Sequence, residues 1–284
     1  MRYRLPELLT NDQYMNLSSS FRIFKDHIRQ VVDVHCHEFY ELAFVTSGSG
    51  VQKINGVELP LVKGSIFLLT PADFHEIIPD EHSEIQLYNL IFTSELIQQQ
   101  LMELLFSVKH LYTHCFEEQD YERMLGEWER IWEEAQSARI GSQWIVRGAI
   151  ERVLIDLYRQ FNILPSDMEK GNASHTIDAV IRSSTILIQH RFRESITLQQ
   201  VAKHYNLSPN YFSGCFKQVL GMSFQTYVVN TRLEFAKSLI RVSNLSVTEV
   251  CLSSGFNTLT HFERMFKKKF GVTPSGYRAV KTEL

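Results

Sequence analysis

Residues 255–278 read GFNTLTHFERMFKKKFGVTPSGYR, and the spacing within this stretch decides half of the fold. Phe262, Met265, Phe266 and Phe270 recur at three- and four-residue intervals, the period of one helix face. Arg264, Lys267, Lys268 and Lys269 fall between them. Gly255 precedes this helix, and Gly271 follows it where a helix stops. Thr273-Pro274 then reads as the start of another, with proline at the first helical position.

The pattern occurs twice. Val201, Ala202 and Leu207 match Val250, Cys251 and Phe256 at an offset of 49; Phe212, Phe216, Lys217, Gly221 and Tyr227 match Phe262, Phe266, Lys267, Gly271 and Tyr277 at an offset of 50. An internal repeat fixes the structural unit before any motif is invoked. Each unit predicts a helix, a tight turn and a second helix, over 197–219 and 246–270. Thr197 and Ser246 are suited to cap the first helices, and Ser208 and Thr258 the second. Asn206 and Gly255 occupy the turn, where a left-handed backbone is needed. Ala202 and Cys251 are small enough for close helix approach.

With the phenylalanine pairs inward, the positions between them face out. These are Asn210, Ser213, Gly214 and Lys217 in the first unit, and Thr260, His261, Glu263, Arg264 and Lys267 in the second. Such a layout is a helix-turn-helix, whose second helix enters the DNA major groove. Arg264 has the fork that reads guanine O6 and N7. Lys267 to Lys269 are expected on the phosphate backbone, positioning without specifying. Helix starts at Thr197, Ser246 and Thr273 would offer further backbone donors to phosphate. Between the units, Tyr227, Val228, Leu233, Ala236, Leu239 and Ile240 form one stripe of a long connecting helix. If both recognition helices lie on one face of double-stranded DNA, they meet successive major grooves about 34 Å apart.

Charge supports the division. The net charge of −3 conceals a basic half, 176–284, with 14 Lys/Arg against 6 Asp/Glu, and an acidic half, 1–175, with 15 against 26. Opposite balances in two halves suggest two modules, of which the basic one suits a polyanion. No apolar run reaches the roughly 18 residues of a membrane-spanning helix, and the N-terminus has no apolar signal region. No membrane partner is therefore expected, and the location is read as cytoplasmic. Cys36, Cys115, Cys215 and Cys251 are scattered without CxxC spacing; they are expected to be free, buried thiols.

The acidic half begins with short β-rich runs over 21–93, separated by glycine and proline turns. Asn55-Gly56 marks a hairpin. A β-sandwich or small barrel is expected. From 94 to 162 the period changes to that of amphipathic helices, with Trp128 and Trp132 on one stripe. These helices either pack on the β-domain or, through exposed tryptophan edges, form a homodimer interface. Residues 163–175 read as a linker.

Within the β-region, VHCHEFYELAFVTSGSG supplies His35, His37, Glu41 and Gly48, the spacing of a first cupin motif. GSIFLLTPADFHE supplies Gly64, Pro71 and His75, similar to the second motif. Three readings follow for His35, His37, Glu41 and His75. They hold a divalent metal, as imidazole and carboxylate can, which would suit an isomerase or dioxygenase. Or they line a pocket that hydrogen-bonds a polar small molecule. Or the histidines are structural. Asp73 in place of the usual glycine, and the short spacing to His75, count against the metal.

Residues 176–284 resemble the DNA-binding domain of the AraC/XylS family of bacterial transcription regulators. The resemblance is carried by Gly255-Phe256, Phe262, Phe266-Lys267, Gly271, Thr273-Pro274 and Tyr277-Arg278. It implies seven helices, two helix-turn-helix motifs and a linker helix. Ser213 and Gly214 stand where many members carry longer polar side chains, which leaves Asn210 and Lys217 as the main contacts of the first motif. More loosely, the N-terminal half resembles the sensors of the rhamnose-operon activators, whose barrel implies a small effector without metal.

The expected organisation is α+β in two domains. A cupin-like β-barrel with C-terminal helices for dimerisation spans 1–162, followed by the linker and an all-α domain over 176–284. The expected function is sequence-specific control of transcription as an activator, answering a small molecule such as a sugar and touching RNA polymerase. The DNA contacts are Asn210, Ser213, Lys217, Thr260, His261, Glu263, Arg264, Lys267 and Lys268. The effector contacts are His35, His37, Glu41 and His75. No cofactor and no catalysis are expected. The alternatives are the metal-dependent cupin enzyme and a regulator that needs no effector.

Overall fold

A computed structural model describes residues 7–15, 20–106, 111–137, 139–161, 177–243 and 245–279. The linker expected at 163–175 lies outside them.

Among the described residues, ten strands form two five-stranded sheets. One has the order β1-β3-β8-β5-β6, from β1 (Glu7–Leu9), β3 (Val32–His37), β8 (Phe74–Pro79), β5 (Gly50–Ile54) and β6 (Val57–Leu61). The other has the order β10-β7-β4-β9-β2, from β10 (Tyr112–Cys115), β7 (Ser65–Leu69), β4 (Tyr40–Ser47), β9 (Ile85–Phe92) and β2 (Phe21–Ile28). The cupin-like domain is thus two sheets rather than one closed barrel. Asn55 and Gly56 both adopt positive φ, 52° and 84°, and join β5 to β6 in a two-residue turn. Gly48 is required by contact as well as conformation: a Cβ there would lie 2.1 Å from the Glu84 carbonyl oxygen.

Strand β4 is buried on both faces over Tyr40–Val45, which explains the apolar run from Leu42 to Val45. Ala43 and Val45 join a core with Phe67, Leu69, Ile77 and Leu87. Leu42 and Phe44 point the other way, into a core built with α3 (Glu118–Gln136) and α4 (Ser142–Arg159). There Trp128 is fully buried, its ring stacked 6.0 Å from Phe44 and 5.9 Å from Tyr88. This corrects the expectation of an exposed Trp128 edge. Trp132 is also half-covered, with Lys25 over its ring. The exposed aromatic of this helical pair is Trp144. Nor is 94–162 helical throughout: β10 adds an edge strand to β7, after the short helix α2 (Gln99–Phe106).

The C-terminal half is helical, as expected, with seven helices among the described residues. They are α5 (Ile177–Arg191), α6 (Leu198–His204), α7 (Pro209–Leu220), α8 (Phe224–Val242), α9 (Val247–Ser253), α10 (Leu259–Phe270) and α11 (Pro274–Ala279). The N-terminal helix α1 (Asn11–Tyr14) lies against the β-domain. Thr197 and Ser246 each close a capping box at α6 and α9, while Thr258 starts α10 without a side-chain hydrogen bond. Helix α8 belongs to two cores. Phe224 and Val228 pack with Phe212 and Phe216; Leu233, Ala236, Leu239 and Ile240 pack with Phe262 and Phe266. Each buried phenylalanine contributes about 1.5–3 kcal/mol of hydrophobic stabilisation, so α8 is held at both ends. The four cysteines are free, but only Cys36 and Cys251 are buried; Cys115 and Cys215 are partly exposed.

Candidate functional site

The two helix-turn-helix units are built as their repeat requires. Asn206 and Gly255 take the left-handed turn conformation, with φ of 56° and 79°. Phe212, Phe216, Phe262 and Phe266 are fully buried. Against that anchoring, Asn210, Gly214 and Lys217 on α7, and Thr260, Arg264, Lys267 and Lys268 on α10, are exposed. Ser213, His261 and Glu263 are half-buried, His261 lying edge-on to Phe256. Lys269 departs from the expected phosphate-facing run. Its ammonium donates to the Asn230 carbonyl at 3.1 Å and pairs with Glu234 at 2.9 Å, tying α10 to α8. Tyr211, exposed at the start of α7 beside Asn210, adds an aromatic to the outer face. Its signal in the sequence was its place off the Phe212–Phe216 stripe.

The second candidate site lies between the two sheets. His35 and His75 are cross-strand partners on β3 and β8, with ring centroids 4.1 Å apart. His37, two residues along β3, shares their face because side chains alternate along a strand. Glu41 reaches in from β4 on the opposite sheet, on the same face as Ala43 and Val45. Its Oε2 lies 3.3 Å from His37 Nε2 and 3.5 Å from His75 Nε2. His37 is 0% exposed and His75 and Glu41 nearly so, while His35 is half-buried. Burial pushes both His37 and His75 down to about 3, although Glu41 opposes this for His37. Both imidazoles are therefore neutral at pH 7. Asp26 shares the cavity; its carboxyl is raised, first by burial, with Glu41 adding to the rise and Asn89 opposing it by a hydrogen bond.

The other ring nitrogens are anchored. His35 Nδ1 meets the Asp33 carbonyl at 2.9 Å and His37 Nδ1 the Phe39 carbonyl at 2.6 Å. His75 Nδ1 faces the buried Gln52 amide at 3.2 Å. Gln52 was not anticipated, because nothing local ties it to His75, 23 positions away. Asp73, the departure from the cupin pattern, has a structural task. Its carboxylate accepts from the Thr70 amide and hydroxyl and from Asn55, closing the turn before β8.

The two candidate sites are joined. Arg193, between α5 and α6, donates to the carbonyls of His37, at 2.6 Å, and Pro71. The Tyr40 hydroxyl meets the His190 ring of α5. Phe74 packs edge-on against Phe235 of α8 at 5.7 Å. On the far side of Arg193, the Gly255 turn packs so closely that a Cβ there would lie 2.7 Å from Arg193 Cα. One residue thus touches both the sensor's histidine strand and the turn of the second DNA-binding unit.

Comparison with known proteins matches both halves. Residues 201–279 match a helix-turn-helix domain, and residues 18–164, more than half of the chain, match the AraC-like ligand binding domain. The HTH-type transcriptional activator RhaS of Klebsiella pneumoniae is 25% identical over 86% of this chain and 86% of its own length. The uncharacterised HTH-type transcriptional regulator YfiF of Bacillus subtilis is 25% identical over 87% of this chain and 79% of its own. Among solved structures, ToxT of Vibrio cholerae aligns over 92% of this chain and 98% of its own at 13% identity, with a TM-score of 0.42.

Proposed function

Because the chain belongs to the AraC family of transcription regulators, we propose that it is a cytoplasmic activator, working as a homodimer without catalysis. It contacts RNA polymerase when bound beside a promoter, and its β-domain answers a small polar effector such as a sugar. The activator RhaS among its relatives supports the direction of control.

The observation that carries the reading is the paired recognition face. Two buried phenylalanine pairs fix α7 and α10 on one shared helix, and Asn210, Lys217, Thr260, Arg264, Lys267 and Lys268 stand outward from them. In this reading Ser213, His261 and Glu263 flank the same face. His35, His37, Glu41 and His75 receive the effector. An effector that favours one arrangement of sensor and DNA-binding domain shifts the population toward it, by no more than its difference in affinity for the two. The contacts of Arg193 are where that difference would be felt.

The test is binding of the purified protein to the DNA upstream of its own gene and to random DNA of equal length, with and without a panel of sugars. Specific binding at least about 10³-fold tighter than non-specific is expected of such a regulator. Equal affinity for both DNAs would reject sequence-specific control. A panel that moves neither the melting temperature nor DNA affinity would reject a sugar effector, since a ligand bound only by the native state must raise stability.

A further inference from the structure

Two side chains on α10 are not explained by packing. Leu259, the first residue of the helix, is 36% exposed. Among the described residues, it does not join the apolar side chains packed around Phe262 and Phe266. Its counterpart in the first unit is Pro209, whose fixed backbone suits the first position of a helix. Leucine brings no such advantage. Glu263 lies one turn further along the same side, since residues four apart are neighbours on a helix. It is half-buried, and it places a carboxylate in a basic face. Arg264 follows it and Lys267 lies four residues on. Yet among the described residues the ion pair that α10 makes is Lys269 with Glu234, and Glu263 makes none.

DNA gives both side chains a use. The N-terminal part of a recognition helix is the part that meets base edges. An apolar side chain there finds one apolar group in the major groove, the thymine methyl. A carboxylate only accepts hydrogen bonds, and phosphate repels it. Its partner in the major groove is the cytosine amino group. Thymine and guanine present acceptors that oppose a carboxylate, and adenine sets an acceptor beside its amino group. A charge that rejects the wrong bases is a source of specificity in its own right. From Leu259 to Glu263 the helix rises about 6 Å, so the bases that they meet lie within about two base-pair steps.

We propose that Leu259 and Glu263 set the base preference of α10 by reading two pyrimidines, Leu259 a thymine through its methyl group and Glu263 a cytosine through its amino group. The inference rests on the regulatory reading above and deepens its DNA site. In α7 the corresponding positions hold Pro209 and Ser213. The preference therefore belongs to α10 alone, the two half-sites differ, and the bound protein has a direction on DNA.

The experiment uses the full-length protein to select duplexes from a randomised library. Affinity for the selected duplex and for a random one is then measured by fluorescence anisotropy. Wild type should select a thymine and a cytosine within about two base-pair steps of each other. Replacing that thymine by uracil, which lacks only the methyl, should weaken wild-type binding about three- to fivefold, the worth of one buried methyl group. The same change should leave Leu259→Ala unaffected. Replacing the C·G pair by T·A should weaken wild type at least about fivefold. Glu263→Gln should lose less than about twofold, because an amide can donate to the thymine oxygen. Glu263→Gln should also bind the random duplex more tightly, since a negative charge has left the face. A glutamate with only a structural role would not move that value. Circular dichroism checks that the variants fold, and the uracil duplex tests wild type without any substitution. No uracil penalty in wild type, or the same penalty in Leu259→Ala, overturns the proposal. So does an equal T·A penalty in wild type and Glu263→Gln, or a selected site without the two pyrimidines. A library that yields no preferred sequence would instead overturn the regulatory reading itself.

Discussion

Arg264 and Lys267 stand about one turn apart on the outer face of α10, and they should fail differently when removed. Arg264 carries a planar fork that can distinguish a guanine; Lys267 is a point charge. Arg264→Ala should cost about 1–3 kcal/mol on the specific site and relax the preference at one base pair. Lys267→Ala should weaken all DNA alike and lower the slope of log affinity against log salt by about 1. Fluorescence anisotropy on specific and random duplexes at several salt concentrations separates the two. Glycines differ just as sharply by position. Gly255 combines a φ of 79° with backbone 2.7 Å from where a Cβ would stand, so neither conformation nor space admits a side chain. Gly255→Ala should destabilise by more than about 1 kcal/mol. Gly214, on the open face of α7, has nothing within 4 Å. Gly214→Ala should stabilise by about 0.5–1 kcal/mol. Denaturant unfolding of the two variants should therefore move in opposite directions.

At the scale of elements, the helix period made α3 and α4 legible but not the depth of each side chain. Trp128 and Trp132 lie on the same stripe four residues apart, and only the positions of Phe44 and Tyr88 on the sheet decide that Trp128 is central. Trp128→Ala should cost about 3–5 kcal/mol. Trp144→Ala, at 77% exposure, should change unfolding of the single chain by less than about 0.5 kcal/mol. Equilibrium unfolding in urea at low protein concentration gives both values. Strand β10 escaped notice because its four residues, Tyr112–Cys115, show burial only at the first. The repeat, by contrast, announced α6, α7, α9 and α10 with their caps and turns, since each depends on contacts within about 30 residues. His35, His37 and His75 were legible for a related reason, since strand alternation and one cross-strand pairing bring them to one face, whereas Glu41 joins them from β4 on the opposite sheet. Gln52 and Arg193 were not, because their roles exist only after distant segments meet.

At the scale of the whole molecule, the contact between the β-domain and the helical domain includes a histidine whose charge state should matter. His190 is half-buried there against Tyr40 and Phe106, and its desolvation pushes it down to about 3. Arg191, Glu194 and Glu38 line the cavity beside it. A histidine whose folded value lies below its unfolded value, near 6.5, favours the folded state above that pH. The contribution is lost as pH falls from about 6.5 toward 3, at up to about 1.4 kcal/mol per pH unit. Unfolding free energy measured between pH 7 and 5 should therefore decline, and His190→Asn should flatten the decline. Arg193 tests coupling rather than stability. Its guanidinium donates to the His37 carbonyl from the helical domain, and its backbone packs on the Gly255 turn. Removing the side chain leaves both cores intact but cuts that path. Arg193→Ala should keep specific DNA binding and keep ligand binding by the sensor, while the change in DNA affinity on adding ligand shrinks severalfold. Reciprocity demands the same shrinkage in the effect of DNA on ligand affinity. Calorimetric titration of ligand into free and DNA-bound protein, wild type and variant, measures both sides of that cycle. Equal coupling in the two proteins would place the communication elsewhere, in the Tyr40–His190 or Phe74–Phe235 contacts.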